Sequence, residues 1–141
     1  LLDEITIVNP RVVCIEYCAS IGKDLSVTVK YKDDFDRHKE NKWGFYCNAS
    51  LKANINVMKK KGYKFVGTVY GLNAFFVRND CKLNKLKELT CEEGWQPHYA
   101  RTYESHKRCD GTIRKITIQE QFDLIKDLDW VDVDDNGNIL E

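Results

Sequence analysis

A near-continuous apolar run, Val12-Val13-Cys14-Ile15-Glu16-Tyr17-Cys18, follows a break at Asn9-Pro10 and predicts a strand buried on both faces of a parallel sheet. Alternation along it puts Cys14 and Cys18 on one face as small buried hydrophobes. From Gly22 to Asn41 the chain is polar, apart from the β-branched segment Val27-Thr28-Val29, and reads as an excursion loop whose Asp33, Asp34, Asp36 and His38 form either a substrate lid or a solvated face. Leu51, Ile55 and Met58 then recur at i, i+4, i+7, which predicts a helix capped by Asn48 or Ser50 and ended by Gly62. Tyr63 to Tyr70, a Gly71 turn and Asn73 to Arg78 predict two antiparallel strands. Beyond Asp80 the pattern is irregular to Thr112, with a short helix expected around Leu83 to Leu89. A last helix is expected from Thr117 or Gln119 to Leu128, with Phe122, Ile125 and Leu128 on one face. The acidic tail from Asp132 matches the first half of an EF-hand loop, but the bidentate Glu that completes such a loop is missing, and Asn136-Gly137 favours a hairpin turn.

Composition narrows the classes. At 141 residues one core is expected, and 43% apolar with 11% aromatic residues is globular rather than disordered or fibrous. Twenty-two Lys+Arg against 22 Asp+Glu give zero net charge, so the broad positive field that non-specific binding to nucleic acid or an anionic membrane requires is absent; a local basic patch stays open, and nucleic acid is not expected as a partner. No apolar stretch approaches the roughly 18–20 residues of a membrane helix. Without a basic, cleavable leader the chain is expected in the cytoplasm. The six cysteines include no CxxC pair, so reduced thiols are expected in preference to disulfides or to a zinc site assembled with His38, His98 or His106. The start, Leu1-Leu2-Asp3-Glu4 without a methionine, resembles the tail of an apolar helix and suggests a piece of a longer polypeptide.

Five blocks in order, Pro10 to Tyr17, Val27 to Val29 with Tyr31 and Phe35, Ala49-Ser50-Leu51, Lys61 to Gly67, and Asn73 to Arg78, resemble FkbM-type methyltransferases dependent on S-adenosylmethionine. Asp110-Gly111 and Trp130 to Val133 fit the tail of that group. The resemblance implies an α/β fold: the carboxyl-terminal half of a Rossmann-like class I methyltransferase sheet with a mixed parallel and antiparallel edge over residues 1–80, then a helical extension over 81–141 packed on the same domain. It implies S-adenosylmethionine as cofactor and O-methylation of a sugar or another small hydroxyl acceptor, such as a glycan precursor. The glycine-rich loop and the acidic motifs that hold the cofactor in such folds would lie upstream, so no cofactor-binding residue is assigned here, and a missing amino-terminal half or a partner chain is expected to complete the site. Cys18 and Asn48 depart from the family, which tends to carry Asn and Gly at those places.

Glu16 and Tyr17, at the carboxyl end of the first strand, are the expected catalytic pair: Glu16 takes or holds a substrate hydroxyl proton, and Tyr17 walls the pocket. Equally, Glu16 orders the following loop through backbone amides. Cys18, Tyr46 and Asn73 are expected against the substrate, with core packing for Tyr46 and turn geometry for Asn73 as the plainer alternatives. A non-catalytic binding module that kept only this half of the sheet is the rival to the enzyme. Either way, half a sheet exposes an apolar edge, which self-association or a partner would cover.

Overall fold

The computed structural model describes residues 4–140, so the helix tail expected at Leu1-Leu2 lies outside it. Its elements are β1 (Val12–Glu16), a 3-10 turn (Ala19–Ile21), β2 (Val27–Val29), α1 (Arg37–Glu40), α2 (Leu51–Lys60), β3 (Tyr63–Val69), β4 (Asn73–Arg78), α3 (Cys91–Gly94), α4 (Tyr99–Tyr103), β5 (His106–Lys107), β6 (Ile113–Arg114), α5 (Ile118–Asp123), β7 (Trp130–Val133) and β8 (Ile139–Leu140). The strands form three short sheets in the orders β1-β4-β3, β2-β7-β8 and β5-β6. Every pairing among the described residues is antiparallel. The expected Rossmann-like half-sheet with a parallel edge is therefore incorrect, and the chain is a small mixed domain of antiparallel sheets.

The difference from the expected sheet centres on β1. An uninterrupted apolar run does not distinguish a strand covered on both faces from one at a sheet edge. Here β1 is an edge strand hydrogen-bonded to β4 alone, Val12 is 57% exposed, and Cys14 is exposed rather than buried with Cys18. Only Val13 and Ile15 turn toward the core beneath α2.

Local chemistry explains the elements that were legible. Ser50 Oγ accepts the Ala53 N–H at 3.1 Å, capping α2, and accepts the Val27 N–H at 3.1 Å, so one buried hydroxyl ties the helix start to β2. Leu51 and Met58 then bury one face of α2 against Tyr63, Phe65, Ala74 and Phe76 of the β3-β4 hairpin. That hairpin turns through Tyr70 and Gly71, both at positive φ. At Gly71 a side chain has no room, because a Cβ would sit 2.0 Å from the Pro97 carbonyl oxygen. Asn84, with φ at 53°, interrupts the helix expected over Leu83 to Leu89, and helix resumes only at α3, where Thr90 and Glu93 form a capping box. The last helix also stops early: α5 ends at Asp123, and 3-10 type bonds such as Leu128 N–H to the Ile125 carbonyl carry the chain onward. The acidic tail forms the β7-β8 hairpin, with the Asp134 carboxylate accepting from the amides of Asn136 at 2.9 Å and Asn138 at 2.8 Å.

Residues 81–140 do not stand apart from residues 4–80. Leu89, Cys91 and Trp95 pack on the α2-β3-β4 core, while Ile116 and Ile125 complete a second core with Cys18, Ile21, Val27, Phe45 and Tyr46. No helix among the described residues is long and apolar enough to cross a membrane.

His98 caps α4 by accepting the Arg101 N–H at Nδ1, and burial, helped by the Arg101 and Arg108 charges, holds its ring near pKa 4. Below the ordinary value of 6.5 the unfolded chain takes up a proton that the folded ring accepts only near 4, so stability falls as the pH drops through this interval and levels off beneath it. Because the ring keeps some contact with solvent, the expected loss is about 1–2 kcal/mol. His98→Asn retains a capping acceptor, and its denaturant midpoint should change less than that of the parent between about pH 7 and about pH 4.

Candidate functional site

The end of β1 meets the segment before α2 at a cleft of about 370 Å³. Its walls are Ile15, Val29, Ala49, Ala53, Val57, Val133 and Ile139, and its polar groups are Glu16, Thr28, Asn48 and Asn54. Three distant pieces of sequence build it. Ser50 holds α2 against β2, β7 pairs with β2 through Val27↔Asp132, and the Asn54 side chain donates to the Glu16 carbonyl at 3.3 Å, pinning the strand end to the helix. Asn48 holds a left-handed backbone, φ 60°, and its Nδ2 donates to Glu16 Oε2 at 3.5 Å. An exposed carboxylate thus stands over an apolar floor with two amide side chains beside it. Such a lining suits a small ligand with a hydrocarbon face and a hydroxyl edge.

Of the residues expected at a site, only Glu16 reaches this cleft. Tyr17 turns to the other side: its ring is 2% exposed, its hydroxyl donates to the Gln96 carbonyl at 3.0 Å, and burial raises its pKa. Cys18 is buried with its thiol donating to the Phe45 carbonyl at 3.2 Å. The Tyr46 hydroxyl donates to the Asp129 carbonyl, and its ring meets Trp130 edge-on at 4.7 Å, so core packing is what this aromatic does. Asn73 opens β4 directly opposite Glu16 in the sheet register, but it does not line the cleft. Asn48 was legible only as a candidate helix cap, and Asn54 carried no sequence signal of a site. Their shared approach to Glu16 depends on how α2 docks against β1.

The backbone directly after β1 offers few free amides to a cofactor such as S-adenosylmethionine. A cofactor cradle of the dinucleotide kind needs free backbone amides at the strand end. Here three of these amides are spent within the fold: Tyr17 N–H on the Leu72 carbonyl at 2.9 Å, Cys18 N–H on the Ala49 carbonyl at 2.8 Å, and Gly22 N–H on the Ala19 carbonyl at 3.1 Å. Comparison of the chain with protein-family models, with curated proteins and with solved structures finds no match.

Proposed function

We propose that the cleft is the acceptor side of an enzyme that methylates a hydroxyl group on a sugar or another small molecule, with Glu16 holding and then taking the hydroxyl proton. The observation that carries this reading is the Glu16 carboxylate standing over an apolar floor with Asn48 and Asn54 beside it. A carboxylate so placed orients a hydroxyl by accepting its hydrogen bond and can act as general base as the oxygen forms its new bond. The methyl donor enters this proposal through the sequence resemblance alone, and its seat belongs to residues beyond those described or to a partner chain. With six free cysteines the cytoplasm is the compartment we propose.

A second reading is favoured by the Tyr17, Cys18 and Gly22 amides being bonded within the fold: a binding module that takes a small hydroxylated ligand without transferring anything to it. Calorimetric titration of the protein as its source produces it, with S-adenosylmethionine and separately with simple sugars, tests both readings. Binding of both, with label appearing on the sugar, supports methyl transfer. Sugar binding without donor binding supports the module. Failure to bind either overturns both readings of the cleft.

A further inference from the structure

At the edge of the second core, next in sequence to the cleft residues Glu16 and Asn48, lies a cluster of one arginine and two cysteines. The Arg101 guanidinium is largely buried, stacks over the Phe45 ring at 4.2 Å and donates to Ser20 Oγ at 2.8 Å. None of the carboxylate ion pairs among the described residues involves it. A buried guanidinium keeps its charge and needs a countercharge. The group in place to supply one is Cys47, whose sulfur lies in the positive field of Arg101 and Arg37. Both sulfurs also converge on one carbonyl, that of Phe45, at 3.2 Å for Cys18 and 3.8 Å for Cys47. Cys18 is 1% exposed and Cys47 half-buried, so the thiol beside the arginine is also the one that solvent reaches.

The electrostatics agree with the geometry. Interaction with the neighbouring Cys18 thiol, with the charges of Arg101 and Arg37, draws Cys47 down to about 6. The same interaction, together with burial, pushes Cys18 well up, and burial is the largest of the causes that lift the unrelated Cys91 to about 11.

We propose that Cys47 is a peroxide-reactive thiolate and Cys18 its resolving thiol. The Cys47 thiolate attacks one oxygen of hydrogen peroxide, the O–O bond breaks, and hydroxide leaves and is protonated to water, giving a sulfenic acid. The Cys18 sulfur then attacks the Cys47 sulfur, the S–O bond breaks, and water leaves carrying the Cys18 proton. In sum two thiols are oxidised to one disulfide, and one peroxide is reduced to two waters. Cys18 lies two residues beyond Glu16 and Cys47 immediately before Asn48. The disulfide would therefore cross-link the two chain segments that carry the Glu16–Asn48 hydrogen bond, and only this coupling rests on the cleft as the functional site.

Peptide mapping of the folded, peroxide-treated protein tests the proposal. The expected result is a Cys18–Cys47 cross-linked peptide and an intact mass lower by two hydrogens. In Cys18→Ser the reaction should stop at a Cys47 sulfenic acid that a cyclic 1,3-dione traps. In Arg101→Gln, alkylation of Cys47 near neutral pH should slow about tenfold. A map of the parent protein in which Cys18 and Cys47 stay as free thiols while exposed Cys14 or Cys109 is oxidised overturns the proposal. That result requires no variant, so a misfolded substitution would not obscure it.

Discussion

Gly71→Ala is expected to destabilise the chain by about 2–5 kcal/mol, combining the cost of a left-handed backbone for an L-residue with forced overpacking. Gly71 has φ at 62°, and the added methyl would lie 2.0 Å from the Pro97 carbonyl oxygen and 2.6 Å from the His98 nitrogen. Neither neighbour is the movable end of a side chain. Relief requires shifting the 97–99 backbone, which the Tyr99 N–H to Tyr70 carbonyl bond at 2.9 Å holds against the hairpin tip. The damage should therefore spread to both sides of this contact, to the β3-β4 turn and to α4. Urea unfolding should show a lower midpoint with an unchanged slope. Amide exchange in the described region should quicken first at Leu72, whose N–H bonds the Val69 carbonyl, and at Tyr99. A midpoint equal to that of the parent would mean that the tip and the 97–99 segment separate freely.

Glu16→Gln carries the largest functional effect. The substitution preserves shape and hydrogen-bonding reach but removes the carboxylate that takes a proton. If Glu16 is the base of a hydroxyl transfer, kcat/KM should fall by about 10²–10⁴-fold, the range for a lost general base. Stability should stay within about 0.5 kcal/mol, as for an exposed position. Glu16 makes a single long side-chain bond, 3.5 Å from Asn48, so little of the fold hangs on its charge. The plainer role, ordering the following loop, makes the opposite forecast: stability drops while ligand binding persists. The amides of that loop are already bonded to Leu72 and Ala49 carbonyls rather than to Glu16, which argues for the first outcome. Paired measurement of turnover and unfolding midpoint separates the two.

How much was legible follows from the range of each interaction. Helix α2 was readable because its cap, its apolar stripe and its terminating glycine all lie within the thirteen positions 50–62. The β3-β4 hairpin was readable for the same reason: two β-rich runs flank a turn at Gly71. The terminal hairpin followed from Asn136-Gly137 and the absence of a completing calcium ligand. Where one residue took an unusual backbone conformation, as at Asn84, periodicity alone gave a helix that does not form.

The direction of strand pairing was not readable. Whether β1 joins a parallel neighbour or lies antiparallel beside β4, sixty residues later, depends on a long-range contact that leaves no trace in the local pattern of β1. Tertiary docking also decided which side chains share a site. It turned Tyr17 and Cys18 into the core, gave the Tyr46 hydroxyl to a backbone carbonyl, and left Glu16 alone of that set at the cleft with Asn48 and Asn54. The sequence by itself determined the short-range devices of this protein, its caps, turns and apolar faces, because hydrogen bonds and side-chain periodicity act over a few residues. Sheet direction, the exposure of β1, the cleft and the approach of Cys18 to the Phe45 carbonyl beside Cys47 were decided by the tertiary structure alone, because each joins residues that only the packed core brings within reach.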